Sequence, residues 1–420
     1  MRQLAKWQHH WYDAGVAAPD ESLEERPFQR TGTVGPDYFW DRAEERRRLE
    51  RLIAGGEIGF VEGPRRVGKS SLALLVKDEL EARRGWRIGY LNLRTVTDAT
   101  LPDRLVTTIA ALTHRNAITQ LPDRVRALLG RFRVRPQLSG GWDTLGNATM
   151  SLKFEPIPAG DEAAVLEDIL ELLAEAPKHA RTKVALIVDE FQEVLHLAPL
   201  LPDILKASFQ SGRNAAVIMM GSRHSIMHEI VHSPSAPLYR IGPSIPVGAL
   251  PRDVVREEIV KRFGWARIKI EGSVADAIFE ACEGIPQDIQ TVCAVLMERA
   301  RLEGWLDIGP DRLPAVLDEV LTEVAPRFLD LWTDLSTVQQ ELLAAIAQYG
   351  GASITRQDFL ERLNPHRRRT SGTILKAAKA LKDRDVLESA NGSYHFKDPF
   401  FALYLKKVVA DPLPDLSLIS

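Results

Sequence analysis

Three short stretches of this chain are apolar without alternation: Ile58-Gly59-Phe60-Val61, Val184-Ala185-Leu186-Ile187-Val188 and Ala215-Ala216-Val217-Ile218-Met219-Met220-Gly221. A strand with one wet face alternates apolar and polar residues, so unbroken runs predict strands covered on both faces, as in a parallel sheet between helical layers. A further strand is expected at Arg87-Ile88-Gly89-Tyr90-Leu91-Asn92-Leu93. Helices are expected from Ser71 through Lys77, over 161–175, and through most of the chain after residue 249. The pattern divides the chain into an arm (1–35), an α/β core (36–248, interrupted by an insertion at about 115–160), a small helical unit (249–325) and a terminal unit (326–420). In the insertion, Arg131-Phe132-Arg133-Val134-Arg135 and Ser139-Gly140-Gly141-Trp142 predict a hairpin with a basic flank. Such a flank suits nucleic acid, and equally a solvated edge guarded by arginine.

The polar residues that end the apolar runs carry the chemistry. Gly63, Pro64, Arg65, Arg66, Val67, Gly68, Lys69, Ser70 and Ser71 follow the first run and open a helix. Glycines let successive backbone amides turn toward anionic oxygens, and the helix N-terminus adds partial positive charge. Within such a phosphate cradle Lys69 reaches the β and γ phosphates of ATP and the Ser70 hydroxyl helps to hold Mg²⁺. The second run ends in Asp189 and Glu190. Asp189 is assigned to the metal and Glu190 to the water that attacks the γ phosphate. Ser222, at the end of the third run, is assigned to sensing that phosphate or water. Arg223 fits phosphate contact or a salt bridge equally.

From residue 337 onward the pattern predicts helices at 337–348, 355–363 and 370–382, then a hairpin at 386–396, with Ser336 as an N-cap. Three helices and a hairpin make a winged helix, whose third helix enters the major groove in DNA-binding examples. Residues 335–410 hold 12 Lys/Arg against 7 Asp/Glu, whereas the rest of the chain holds 42 against 50. That asymmetry favours an anionic partner. Arg367, Arg368 and Arg369 are assigned to DNA phosphates, and Ser371, Thr373 and Lys376 to the bases. A protein partner is the open alternative, since fold alone does not set function.

Taken together these residues resemble an AAA+ P-loop ATPase of the bacterial and archaeal type close to the STAND and origin-recognition groups. Tyr38-Phe39-Trp40-Asp41-Arg42 with Glu44-Glu45 is similar to the F-x-x-R-x-x-E segment beside the adenine, which implicates Arg42. The phosphate loop and Asp189-Glu190-Phe191-Gln192 match two further motifs, and the resemblance implies that the strand ending at Gly221 lies between the strands bearing them. Pro237-Leu238-Tyr239-Arg240 is similar to P-L-Y-x-R but lacks the spacer. In relatives that oligomerise, an arginine in this region reaches a neighbouring subunit's nucleotide, so Arg240 is the expected finger. Gly284-Ile285-Pro286 is similar to the turn that opens a helix of the lid, which implicates Pro286, although Gln287 stands where origin-recognition relatives carry arginine. Asp398-Pro399-Phe400-Phe401 through Leu405 resembles the closing segment of these ATPases and is read as packing.

Composition changes this picture little. At 420 residues and 45% hydrophobic content the chain is long enough for several cores. No run approaches a membrane span, and the first ten residues lack a secretion signal, so cytoplasmic residence is expected. Cys282 and Cys293 show no metal spacing and read as core residues, and the His9-His10 pair reads as part of the arm. The expectation is an ATP- and Mg²⁺-dependent switch that couples nucleotide state to a DNA or protein partner, in some relatives as a homo-oligomer. The rival is a nucleotide-stabilised DNA-binding or scaffold protein with negligible turnover.

Overall fold

The computed structural model describes residues 21–83, 85–113, 135–142, 148–153, 162–180, 182–209, 215–222, 224–363, 369–390 and 392–410. These fall into two compact units, one spanning 41–248 and the other combining the chain up to Trp40 with everything from Ala249 onward.

The first unit is built on a five-stranded parallel sheet of order β2-β5-β6-β1-β7. Its strands are β1 (Ile58–Glu62), β2 (Trp86–Asn92), β5 (Lys183–Asp189), β6 (Ala216–Gly221) and β7 (Ser244–Pro246). The unbroken apolar runs are explained by burial: every residue of β6 is buried, and so is every residue of β5 after Lys183. Strand β6 lies between β5 and β1, as the resemblance implies. Helices α1 (Ala43–Gly55), α2 (Lys69–Ala82), α3 (Leu101–Thr113), α4 (Glu162–Ala180) and α5 (Leu201–Phe209) accompany the sheet. Phe60, Leu91, Ile109, Leu170 and Val188 share one core with them, each worth roughly 1.5–3 kcal/mol when fully buried. Parallel pairing sets Glu62 beside Gly221 and Asn92 beside Asp189, so the carboxyl ends of the strands finish level. That edge is where open α/β sheets place their ligands. The insertion holds a hairpin, β3 (Arg135–Trp142) and β4 (Ala148–Lys153), paired antiparallel with a register shift; the turn-rich stretch Ser139–Trp142 lies within β3 itself, Arg135 opens that strand, and the rest of the basic flank, 131–134, lies outside the described residues.

The second unit holds α6 (Arg252–Trp265), α7 (Gly272–Cys282), α8 (Pro286–Leu302) and α9 (Leu313–Thr333), with a short parallel pair β8 (Lys269–Ile270) and β9 (Asp307–Ile308). The winged helix follows as α10 (Thr337–Tyr349), α11 (Gln357–Leu363), α12 (Ser371–Asp383), the hairpin β10 (Leu387–Ala390) and β11 (Ser393–Phe396), and α13 (Pro399–Ala410). Ser336 caps α10 in a capping box with Gln339. The sequence boundary at 325–326 falls inside α9, with Pro326 within the helix. One continuous core joins helical unit and winged helix, including Val292, Val320, Leu343 and Phe400. Phe401 lies tilted against Phe328 at 5.1 Å and meets Phe396 edge-on at 5.8 Å, so the closing segment is packing.

The arm also differs from expectation. Residues 21–40 pack on the helical unit, and 36–40, read from sequence as core, go with them. Arg262 donates to the carbonyls of Pro27 at 2.8 Å and Asp37 at 2.5 Å, and Phe28 lies 5.3 Å from Phe263. Gln290 accepts from Gln29 N and donates to the carbonyl of Tyr38. Burial pushes the Arg262 guanidinium down from its usual range, with Glu258 opposing the shift. The chain leaves this strap through two consecutive left-handed residues, Asp41 (φ 53°) and Arg42 (φ 70°).

Candidate active site

The loop from Gly63 to Gly68 connects β1 to α2 across the level strand ends. A Cβ on Gly63 would overlap the carbonyl of Val247, so only glycine lets the two backbones pass. Gly68 caps α2 at φ 93°, again a glycine conformation. Val67 is buried and pins the middle of the loop, whereas Pro64 and Arg65 are exposed and Arg66 is half-buried at φ 67°. Lys69 is buried in the curl of the loop, where Nζ donates to the carbonyls of Gly63 at 2.9 Å and Pro64 at 2.6 Å. Ser70 and Ser71 occupy the first turn of α2.

Across the strand ends, Ser70 Oγ donates to Asp189 Oδ2 at 2.6 Å. Tyr90, two residues before the end of β2, donates to the same oxygen at 2.5 Å. Burial, reinforced by the Asp189 charge, raises the Tyr90 phenol well above its ordinary range. Glu190 then turns the chain through the left-handed region (φ 54°), and its backbone N–H bonds the Asp189 carboxylate at 2.8 Å. That turn carries its carboxylate to Gln192 Nε2 and Ser222 Oγ. A serine hydroxyl and a carboxylate in contact beneath an ammonium-bearing amide loop are hard oxygen donors. This donor set fits a triphosphate with a magnesium ion, which Ser70 and Asp189 would hold.

The remaining predicted residues have other settings. Arg42 is buried, paired with Glu45, and donates to the carbonyls of Val67 and Gly248. It buttresses the phosphate loop from behind. Arg240 is exposed, with a left-handed backbone (φ 58°) and its guanidinium 5.3 Å from the Tyr239 ring centroid. Arg223 lies outside the described residues. Pro286 belongs to the second unit, where it opens α8.

In the winged helix one assignment needs correction. Arg369 grips Glu341 with two bonds, at 2.9 and 3.1 Å, so its guanidinium braces α10 instead of facing a ligand. Arg367 and Arg368 lie outside the described residues. Ser371 donates to the carbonyl of Thr355, and the Thr373 hydroxyl bonds that of Thr370, the N-cap of α12. Lys376 is exposed on α12, as is Lys379 three residues on.

Two site residues escaped sequence reasoning. Tyr90 was visible only as a strand residue, and its role needs the pairing of β2 with β5. Gln192 stood in a quoted motif, yet its contacts with Glu190 and Ser222 depend on the adjacency of β5 and β6.

Residues 39–292 match the family described as an ATPase domain predominantly from Archaea, and residues 326–407 match a probable winged helix domain. Among solved structures, a Walker-type ATPase of Pyrococcus abyssi is 19% identical, with a TM-score of 0.59 over 90% of this chain and 99% of its own. The ORC2 protein of Aeropyrum pernix, in ADPNP and ADP complexes, is 13% identical, with a TM-score of 0.53 over 94% and 98%. At these identities the likeness is one of fold. No curated protein matches the chain. No helix among the described residues is long and apolar enough to cross a membrane. The ATPase match covers more than half of the sequence and includes the phosphate loop and the acidic strand end, while the winged helix carries a match of its own, so the chain belongs to the ATPase domain family predominantly from Archaea.

Proposed function

We propose that this ATPase is a Mg²⁺-dependent, ATP-hydrolysing switch that couples its nucleotide state to DNA through the winged helix. The observation that carries the hydrolytic part is the convergence of Lys69, Ser70, Asp189, Glu190 and Ser222 on one edge of the sheet. Lys69 and the amides at the start of α2 bind and orient the phosphates. Ser70 and Asp189 hold the metal, which when bound supplies charge neutralisation on the phosphate oxygens. Glu190 orients the attacking water and takes its proton, and Ser222 adds a hydroxyl beside it. Arg240, exposed and free of ion pairs among the described residues, suits a finger offered to a neighbouring copy. Such a ligand shifts a conformational equilibrium only by its differential affinity for the two states.

The DNA part rests on α12, where Lys376 and Lys379 are exposed and Leu375 beside them is 47% exposed. Phosphate release with and without Mg²⁺ tests the enzyme reading. Glu190→Gln should lower turnover about a hundredfold or more while ATP binding persists, and Lys69→Ala should weaken binding itself. A wild type with no Mg²⁺-dependent release, with or without DNA, would leave the scaffold reading in its place. Duplex binding that is absent at low salt would move the winged helix to protein contacts.

A further inference from the structure

Gln192 lies in the short 3-10 turn Phe191–Glu193 and is fully buried, at 0% exposure. Its Nε2 donates to Glu190 Oε2 and stands 3.5 Å from Ser222 Oγ, while its Oε1 accepts from Ser222 N at 3.3 Å. Among the described residues its side-chain bonds therefore go to Glu190 and Ser222, the two residues assigned to the attacking water. The amide's orientation is forced. Turned over, its carbonyl would face a carboxylate and its NH₂ would face a backbone N–H, two contacts of like sign. The strand end makes room for it: a Cβ on Gly221 would press on Gln192 Oε1 and overlap Met227. Glu190 accepts a left-handed backbone that disfavours side chains, and this turn is what brings its carboxylate to the amide.

We infer that Gln192 is a positioning residue that ties the Glu190 carboxylate, just past β5, to the Ser222 backbone, just past β6, making one rigid unit of the two groups that face the attacking water. The inference rests on the hydrolytic reading for its consequence, but the tie itself exists without nucleotide. Packing alone does not require a glutamine here, because a buried amide is costly unless its donors and acceptor are all engaged, and an apolar side chain of equal length would fill the same space. The amide's return is geometric. A buried hydrogen-bonded network fixes one arrangement and resists the others. Misplacing a reacting group by about 1 Å costs on the order of a hundredfold in rate.

The test uses Gln192→Met, which keeps volume and removes both bonding ends. In nucleotide-free protein, exchange of the Ser222 amide should accelerate about tenfold or more in Gln192→Met and stay at the wild-type rate in Glu190→Gln. Under Mg²⁺ and ATP, kcat should fall at least about tenfold with KM within about twofold, the pattern for a group that acts on the transition state. In the Glu190→Gln background the same change should cost less than about twofold, because its effect passes through Glu190. Unchanged exchange, wild-type kcat, or losses that simply multiply would each overturn the inference. Should Gln192→Met fail to fold, Gln192→Glu retains an acceptor for Ser222 N–H but sets a carboxylate against Glu190, so slow exchange with lost kcat is expected and wild-type kcat would refute the role. If wild-type protein shows no Mg²⁺-dependent turnover, the hydrolytic reading fails, while the exchange measurement still decides whether Gln192 holds Ser222.

Discussion

Ser70 Oγ and Asp189 Oδ2 meet at 2.6 Å although 119 residues separate them. Parallel pairing brings this about. Strand β6 separates β5 from β1, and the loop after β1 delivers the first turn of α2 across β6 to the end of β5. A hydroxyl and a carboxylate so placed are the donors that would hold a magnesium ion beside the phosphates.

The metal should therefore account for part of the nucleotide affinity, and Ser70 and Asp189 should be the residues that transmit it. Isothermal titration of ATP with Mg²⁺ and then with a chelator should show wild-type affinity falling about tenfold or more on chelation. In Ser70→Ala and Asp189→Asn the two titrations should differ by less than about twofold, since the shared ligands are gone. An undiminished metal effect in both variants would place the ion elsewhere.

Arg262 should hold the arm. Its guanidinium bonds the carbonyls of Pro27 and Asp37 and lies against the rings of Tyr38, Trp40 and Trp265, at 5.8, 5.2 and 5.0 Å. Arg262→Met keeps the stem but strands those carbonyls and leaves Glu258 with Lys261 as its remaining ion-pair partner. The expected cost is about 3 kcal/mol. Calorimetry should register a melting temperature lower by about 5–10 °C, and limited trypsin digestion should cut after Arg30 faster than in wild type. A variant equally resistant at Arg30 would show that Phe28 and Gln290 suffice.

Much of this was legible in the sequence, for reasons particular to each element. Strands β5 and β6 announced themselves because burial on both faces demands unbroken aliphatic runs, and Ser336 because a capping box is a local signal. Arg262 was silent, since a buried arginine in an amphipathic helix looks like any solvated one until the strap that covers it is known. The boundary expected at 325–326 agrees with the start of the winged-helix match at 326, but a continuous helix crosses it, and composition does not report that the two helical bundles share a core. Arg369 was read with its basic neighbours, but its partner Glu341 lies 28 residues away on α10.

That ion pair separates two kinds of basic residue in the winged helix. Lys376 and Lys379 are exposed on one face of α12, whereas Arg369 is committed to Glu341. Each phosphate contact contributes about 0.9 to the dependence of log K on log salt. Replacing Lys376 and Lys379 by alanine should flatten that slope for duplex DNA by up to about 2. Arg369→Ala should leave the slope alone and lower the melting temperature. Fluorescence anisotropy over a salt series makes the comparison, and a slope that tracks Arg369 instead would reverse the assignment.

Arg240 offers the sharpest test of whether sites are completed between copies. It is exposed, its backbone is held left-handed, and no acid among the described residues engages it. Within one chain an arginine that stabilises phosphate charge must travel with its own Glu190, so mixing two inactive variants would restore nothing. Across an interface the two come from different copies. Arg240→Ala alone should reduce turnover about a thousandfold, as expected for loss of a finger, and Glu190→Gln should be inactive for want of its carboxylate. Equal mixtures should then recover about a quarter of wild-type turnover, because random assembly pairs an intact Glu190 with an intact neighbouring Arg240 at that frequency. Recovery should rise with protein concentration, since assembly is required. A mixture as inactive as its components, at concentrations where wild-type activity has saturated, would confine Arg240 to its own subunit.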